Sequence, residues 1–424
     1  MTITADTDRP SLPVATVLRI FVPFAFAYAL SYLYRVVNAV IAPDLAAEVD
    51  LTAADLGMMT SAYFLCFAAF QLPLGILLDR YGPRRTEAFL LVVAAVGALV
   101  FAQAETVTGL VIGRGLIGLG VSAGLMAAVT AYARWFPPER LAFVNGLQAA
   151  AGGIGAVAGT APVEAALGWG GWRGLFVALA ALTVISAVVL YATVPRRNEV
   201  GSGARLRDQV KGTLGVFRSR IFWAVMPTTV FCQAAFLSIQ TLWTGPWLRD
   251  VAGFERGDAA ATLLLIAVAL VAGMIGFGMM SQWLQRRGVS PERFMVVSMA
   301  CFCACLAVIS FVPVKVATAL WLLFGFLGGS VYLPFAIMVS KFPRALAGRV
   351  STALNVMTFS FAFLFQWMIG VIINQWPLDA AGRYAAEGYV AALTGTVILQ
   401  VVGFAWLAVN WRHVEPGPQA RPTI

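Results

Sequence analysis

The chain has 424 residues, of which 60% are hydrophobic and 12% charged, and its formal net charge is +9. A soluble protein needs roughly twice that share of charged residues to cover its surface, so the composition excludes an ordinary globular domain. Apolar windows of about 20 residues, the length that crosses a bilayer, recur from end to end and predict an all-α membrane protein with twelve transmembrane helices.

The first apolar stretch, residues 17–43, holds Arg35. A guanidinium at the centre of a span costs about 2.5–3.5 kcal/mol on insertion scales and cannot be neutralised. Tyr28, Ser31, Tyr32 and Asn38 share its face of the helix, one and two turns away, while the other face is Phe, Ala, Val and Leu. This polar stripe reads as an anion-binding face, with a structural ion pair to another helix as the competing reading. Further spans are predicted at 54–78, 87–104, 107–133 (holding Arg114), 143–166 and 174–194. A basic hydrophilic loop follows, and then spans at 221–246, 260–284, 293–312, 317–340, 350–374 and 387–411. The polar N-terminus and the long first apolar run do not fit a cleavable signal peptide.

Of the 29 Lys and Arg residues, 22 fall in segments on one side of the predicted membrane, five on the other, and Arg35 and Arg114 lie inside spans. Under the positive-inside rule this bias places both termini and the central loop in the cytoplasm of a bacterial-type inner (plasma) membrane. The basic charge is then a topology signal, and no nucleic-acid partner is expected. The five cysteines all sit within spans and the single His413 follows the last one, so neither metal binding nor thiol chemistry is expected. No phosphate-cradling GxxxxGK[ST] loop is present. The chain is therefore expected to have no nucleotide partner, no cofactor and no catalytic residues, and not to be an enzyme.

Two landmarks repeat. Asp79-Arg80-Tyr81-Gly82 follows the second span and Gln285-Arg286-Arg287-Gly288 the eighth; Phe136-Pro137 follows the fourth and Phe342-Pro343 the tenth. Both pairs share an offset of 206 residues, which argues for duplication. The expected organisation is a six-helix half over 1–194, a basic linker over 195–220 and a second six-helix half over 221–424. In such duplicated proteins the binding site lies between the halves near the midplane.

GILLDRYGPRR, from Gly75 to Arg85, resembles the G-x-L-x-D-R-x-G-R-R signature of the major facilitator superfamily, and it stands after the second of twelve spans, as in that family. LVIGRGLIGLG (Leu110 to Gly120) and GGWRGLF (Gly170 to Phe176) resemble the family's fourth-span and sixth-span patterns. The resemblance implies a gating latch of Gly75, Asp79 and Arg80 that closes the cytoplasmic side. It also implies a central cavity lined by spans one, four, seven and ten. Arg35 and Arg114 would then sit about 10–12 Å below the outer edge, offering paired bidentate donors to a carboxylate or phosphate. Arg114 also has a structural reading. The pair resembles the organic-anion, sugar-acid and sugar-phosphate branches.

Proton symporters of those branches carry a carboxylate beside the first-span arginine and another lower on span four. Here the neighbours are Tyr34, Val121 and Ser122. Glu164 reads as the only carboxylate well inside a span, with three readings: a proton site, an outer-gate partner or a solvated helix end. Helical spacing adds Gln240, with Thr229, Gln233 and Thr244, on span seven, Tyr332 on span ten, and Asn355 and Gln366 on span eleven. The substrate-binding set is thus Arg35, Arg114, Tyr32, Asn38, Gln240 and Tyr332. The expected function is secondary active transport of a small organic anion by alternating access, by a monomer in the lipid bilayer. The alternatives are a multidrug or metabolite exporter of the same superfamily and a transporter-like membrane sensor.

Overall fold

The computed structural model describes residues 13–195, 206–311, 316–343, 346–379 and 382–414. Residues 196–205 of the predicted linker, and Arg9, Lys315, Arg344 and Arg421 of the charge pattern, lie outside them.

Span one is built from α1 (Val14–Val36) and α2 (Asn38–Val49), with a turn at Val37. Next comes α3 (Ala53–Gln103), whose 51 residues would reach about 77 Å as one rod, more than twice a bilayer core. It is two spans that reverse at Gly82, where φ is 74° and ψ 165°, a conformation that glycine adopts without a Cβ clash. A capping box starts it: Thr52 Oγ1 accepts from Asp55 N, and Asp55 Oδ2 accepts from Thr52 N. Span four is α4 (Val107–Gly120) and α5 (Gly124–Trp135); span five is α6 (Pro138–Ala158) and α7 (Ala161–Leu167); span six is α8 (Gly171–Thr193).

The predicted hydrophilic loop is corrected in part, because α9 (Leu206–Phe217) occupies its second half and packs on both bundles. Its buried Thr213 and Val216, with Leu214 exposed, show the one-sided apolar pattern that a short surface helix needs. Span seven is α10 (Arg220–Ser238), a π-helical turn (Ile239–Trp243) and α11 (Thr244–Asp250). Spans eight and nine are α12 (Arg256–Arg286) and α13 (Pro291–Phe311). Span ten is α14 (Ala317–Gly328), a 3-10 turn (Gly329–Tyr332) and α15 (Leu333–Ser340); α16 (Ala347–Ile373) and α17 (Ala386–Val409) complete the set.

Spans one, four, seven and ten are each interrupted near mid-depth, at Val37, Val121–Ala123, Ile239–Trp243 and Gly329–Tyr332. Irregular backbone inside a membrane is tolerated only where protein or a cavity supplies its hydrogen bonds. Here Ser31 Oγ donates to Val121 O and Thr244 Oγ1 to Ile239 O.

Backbone-to-backbone approach holds each half together. A Cβ at Gly118 would lie 2.2 Å from Tyr63 O, and one at Gly155 2.0 Å from Ala29 O, so span four packs directly on span two and span five on span one. The two halves meet at the end away from the termini. Gly57 and Gly370 let spans two and eleven cross there, and Trp243 Nε1 donates to Gln366 O.

Candidate functional site

Arg35 occupies the last turn of α1, and its side chain projects into the space between the halves. Its guanidinium carbon lies 4.5 Å from the Tyr32 ring centroid, 5.3 Å from Phe359, 5.6 Å from Phe67 and 5.9 Å from Tyr63. The residue is 6% exposed, and among the described residues no carboxylate pairs with it. Its buried Nε has no hydrogen-bond partner among the described residues. Aromatic faces offset part of the cost of burying this cation, and its planar fork of donors matches a two-oxygen acceptor such as a carboxylate.

A cavity of about 400 Å³ opens beside it. Tyr28, Ser31, Tyr32 and Arg35 line it from span one and Gln71 from span two. Ser122 contributes from span four, Gln233 from span seven, Tyr332 from span ten and Asn355 from span eleven. The lining therefore holds one cation and a ring of hydroxyl and amide groups, with Phe67, Phe335 and Phe359 as apolar walls.

The structure brings together Arg35, Tyr32 and Tyr332 from the predicted set, and it places three others elsewhere. Arg114 is 1% exposed; its Nη1 donates to Tyr34 O at 2.9 Å and its guanidinium carbon lies 5.2 Å from the Tyr63 centroid. Its position is that of a clamp on a carbonyl in the last turn of α1, where backbone acceptors go unpaired. Asn38 is fully buried and donates to Thr60 Oγ1 at 2.8 Å, joining spans one and two. Gln240 lies in the π-helical turn, buried and outside the cavity lining.

Glu164 lies in an ion pair that joins the two halves. Arg256 at the start of α12 sends Nε to Glu164 Oε1 at 2.5 Å. The same guanidinium binds Asp44 through Nη1 to Oδ1 at 2.7 Å and Nη2 to Oδ2 at 2.5 Å. One cation of the second half thus ties two carboxylates of the first across the end away from the termini. Near it, Glu48 accepts from Trp172 Nε1 and from Arg173 Nε at 2.8 Å, and Arg173 Nη1 donates to the carbonyls of Ala102 and Ala104 that end α3.

The other end is open. Gly75 and Asp79 line a cleft of about 280 Å³ with Thr213, Gly348 and Arg349, and Gln71 and Met126 line both this cleft and the Arg35 cavity. The site therefore communicates with the side on which the described chain begins and ends. Arg80 is exposed and lies over Tyr81, 5.3 Å from its centroid.

Sequence reasoning missed two features. Tyr63, Phe67 and Gln71, spaced four apart on one face of span two, help to form the aromatic cage and the cavity wall; that spacing was the available signal. Glu164 is also not the only carboxylate inside a span. Glu87 is 0% exposed, and neither of its oxygens has a hydrogen bond among the described residues. The predicted start of span three, at 87, put it at a membrane boundary; the turn at Gly82 sets it more than one helical turn further in.

Two six-helix bundles around a polar cavity, closed at one end and open at the other, define an alternating-access secondary transporter. The chain belongs to the Major Facilitator Superfamily, whose profile matches residues 24–366. It is 24% identical over 376 residues to the probable sulfoacetate transporter of Cupriavidus necator, covering 84% of this chain and 79% of that one. It is 24% identical over 401 residues to the hexuronate transporter of Bacillus subtilis, covering 89% and 92%. Among solved structures, a bacterial homologue of the human lysosomal transporter Spinster, in an inward-facing and occupied conformation, superposes with a TM-score of 0.81. That match has 18% identity and covers 98% of this chain and 100% of the other.

Proposed function

We propose that this transporter moves a small organic anion, carrying a carboxylate or a comparable oxyanion, through the cavity bounded by Arg35. The carrying observation is a fully caged guanidinium with no protein counter-charge among the described residues. The relatives named for sulfoacetate and hexuronate transport support the same class. Tyr32 and Tyr332, with Tyr28, Gln71, Gln233 and Asn355, supply hydrogen bonds to the body of the substrate. Arg114, Asn38 and Gln240 support the helices that present them.

The basic bias supports cytoplasmic termini in an inner membrane, which makes this conformation inward-facing. Gly75, Asp79 and Arg80 then form the cytoplasmic gate, and Asp44, Glu164 and Arg256 the outer one. The same reading divides the chain into halves 1–194 and 221–424 joined by 195–220, with the monomer as the working unit.

A thermal-shift screen of the purified protein with glucuronate, galactonate and sulfoacetate tests the proposal, because a ligand bound by the native state raises its stability. Stabilisation by an anion, absent in Arg35→Ala, and uptake of that anion into proteoliposomes are expected. Stabilisation by neutral or cationic compounds alone overturns it.

A further inference from the structure

We propose that Glu87 is a proton-binding site that couples proton movement to anion movement through the Arg35 cavity. The inference rests on the anion reading above. Glu87 sits on span three with no exposure, and among the described residues both carboxyl oxygens lack a hydrogen-bond partner. A Cβ placed on Gly124 would lie 3.8 Å from Glu87 Oε1 and 3.2 Å from the ring of Tyr28. Tyr28 lines the anion cavity, so the carboxyl stands directly behind the cavity wall. Gly124 begins α5, just past the interruption of span four, and that interruption is tied to the anion helix by Ser31 Oγ donating to Val121 O.

The ionisable groups around Glu87 are few. On its own helix, Arg84 donates to Tyr191 O of α8, and Arg85 lines a separate cleft with Tyr81 and Phe89. From α1, Tyr28 approaches the same face of Gly124 that Glu87 does. On α5, Tyr132 donates to Gln148 of α6, whose amide in turn donates to Phe24 O. From α4, Arg114 is held at Tyr34. Among the described residues, no basic side chain makes an ion pair with Glu87.

A carboxylate in such a place would carry an uncompensated desolvation cost, and the neutral acid would not. The charges then balance in only two forms of the carrier. With an anion on Arg35 and a proton on Glu87, the interior has no net charge. With neither bound, the Arg35 cation and the Glu87 carboxylate again sum to zero. The half-loaded forms leave one net charge in the membrane and are disfavoured from rearranging. One proton therefore binds a Glu87 oxygen, travels in the same direction as one monoanion, and leaves to water on the far side, with no other bond made or broken.

Two measurements decide this. Infrared difference spectroscopy of the wild-type protein in lipid, taken between acidic and alkaline pH, should show the carbonyl stretch of a protonated carboxylic acid that is lost as the pH rises and is absent in Glu87→Gln. If the two spectra match, the proposal fails whatever the substrate is. In proteoliposomes with glucuronate as the probe, an inward proton gradient should drive accumulation by the wild type. Glu87→Gln, which is isosteric with the neutral acid and should fold, is expected to bind glucuronate with an unchanged thermal shift but to lose gradient-driven accumulation at least tenfold. Glu87→Asp should recover part of it. Full gradient-driven accumulation by Glu87→Gln overturns the proposal. If the wild type neither binds nor moves glucuronate or the other anions, the anion reading fails, and the infrared result still decides whether Glu87 holds a proton.

Discussion

Two arginines that look alike in the sequence, Arg35 and Arg114, do different physical work. Arg35 meets only aromatic rings and solvent-accessible cavity, so its removal leaves no buried orphan charge. The ligand-free melting temperature of Arg35→Ala should stay at or above that of the wild type, with anion binding lost. Arg35→Lys should retain the charge but bind anion about 10–100-fold more weakly, the equivalent of one charge-assisted hydrogen bond at about 1.5–3 kcal/mol, as titration calorimetry would measure. Arg114→Ala strips the donor from Tyr34 O and should cost about 1–3 kcal/mol of stability. A lowered melting temperature for Arg114→Ala, with none for Arg35→Ala, is the expected contrast; the reverse pattern would make Arg35 the structural residue.

The elements that matter most are the interrupted spans and the two gates. At the end away from the termini, both Arg256 bridges are partly solvated, and each contributes about 0–1 kcal/mol. Breaking them should shift the equilibrium between conformations without unfolding the protein. Arg256→Gln should therefore add a longer-distance population between spin labels at Trp169 and Leu378, exposed positions at the outer ends of the two halves. An unchanged distance distribution would remove Arg256 from the gate. At the end that carries the termini, Asp79 and Arg349 both line the cleft. Asp79→Asn should slow uptake while leaving the anion's dissociation constant within about twofold, an indication that closure and not the cavity was touched. Loss of binding in a folded Asp79→Asn protein would place Asp79 in the site.

On the scale of the whole molecule, orientation governs function, because the open cleft admits cytoplasmic solute only if the termini are cytoplasmic. A cysteine at Arg218, exposed at the basic end, should resist a membrane-impermeant reagent in intact cells, whereas one at Trp169 should label readily. The opposite result would invert the protein and with it the direction assigned to each gate.

The sequence by itself determined the twelve spans, the duplication and the charged stripe at Arg35, because these follow from hydropathy, charge bias and helical periodicity, which are local. The acids Asp44 and Glu48 stand in a segment with no cation close by in sequence. Tertiary structure alone decided their partners: Arg173 and Arg256 reach them from distant spans. It also decided that Arg114 and Asn38 turn to backbone and to Thr60 rather than into the cavity, since a helical face can point at several neighbours and only packing selects one. Glu87 shows the same limit most clearly. It stands at the predicted start of span three, and the glycine turn at Gly82, together with the close approach of span four, buries it without a hydrogen-bond partner among the described residues.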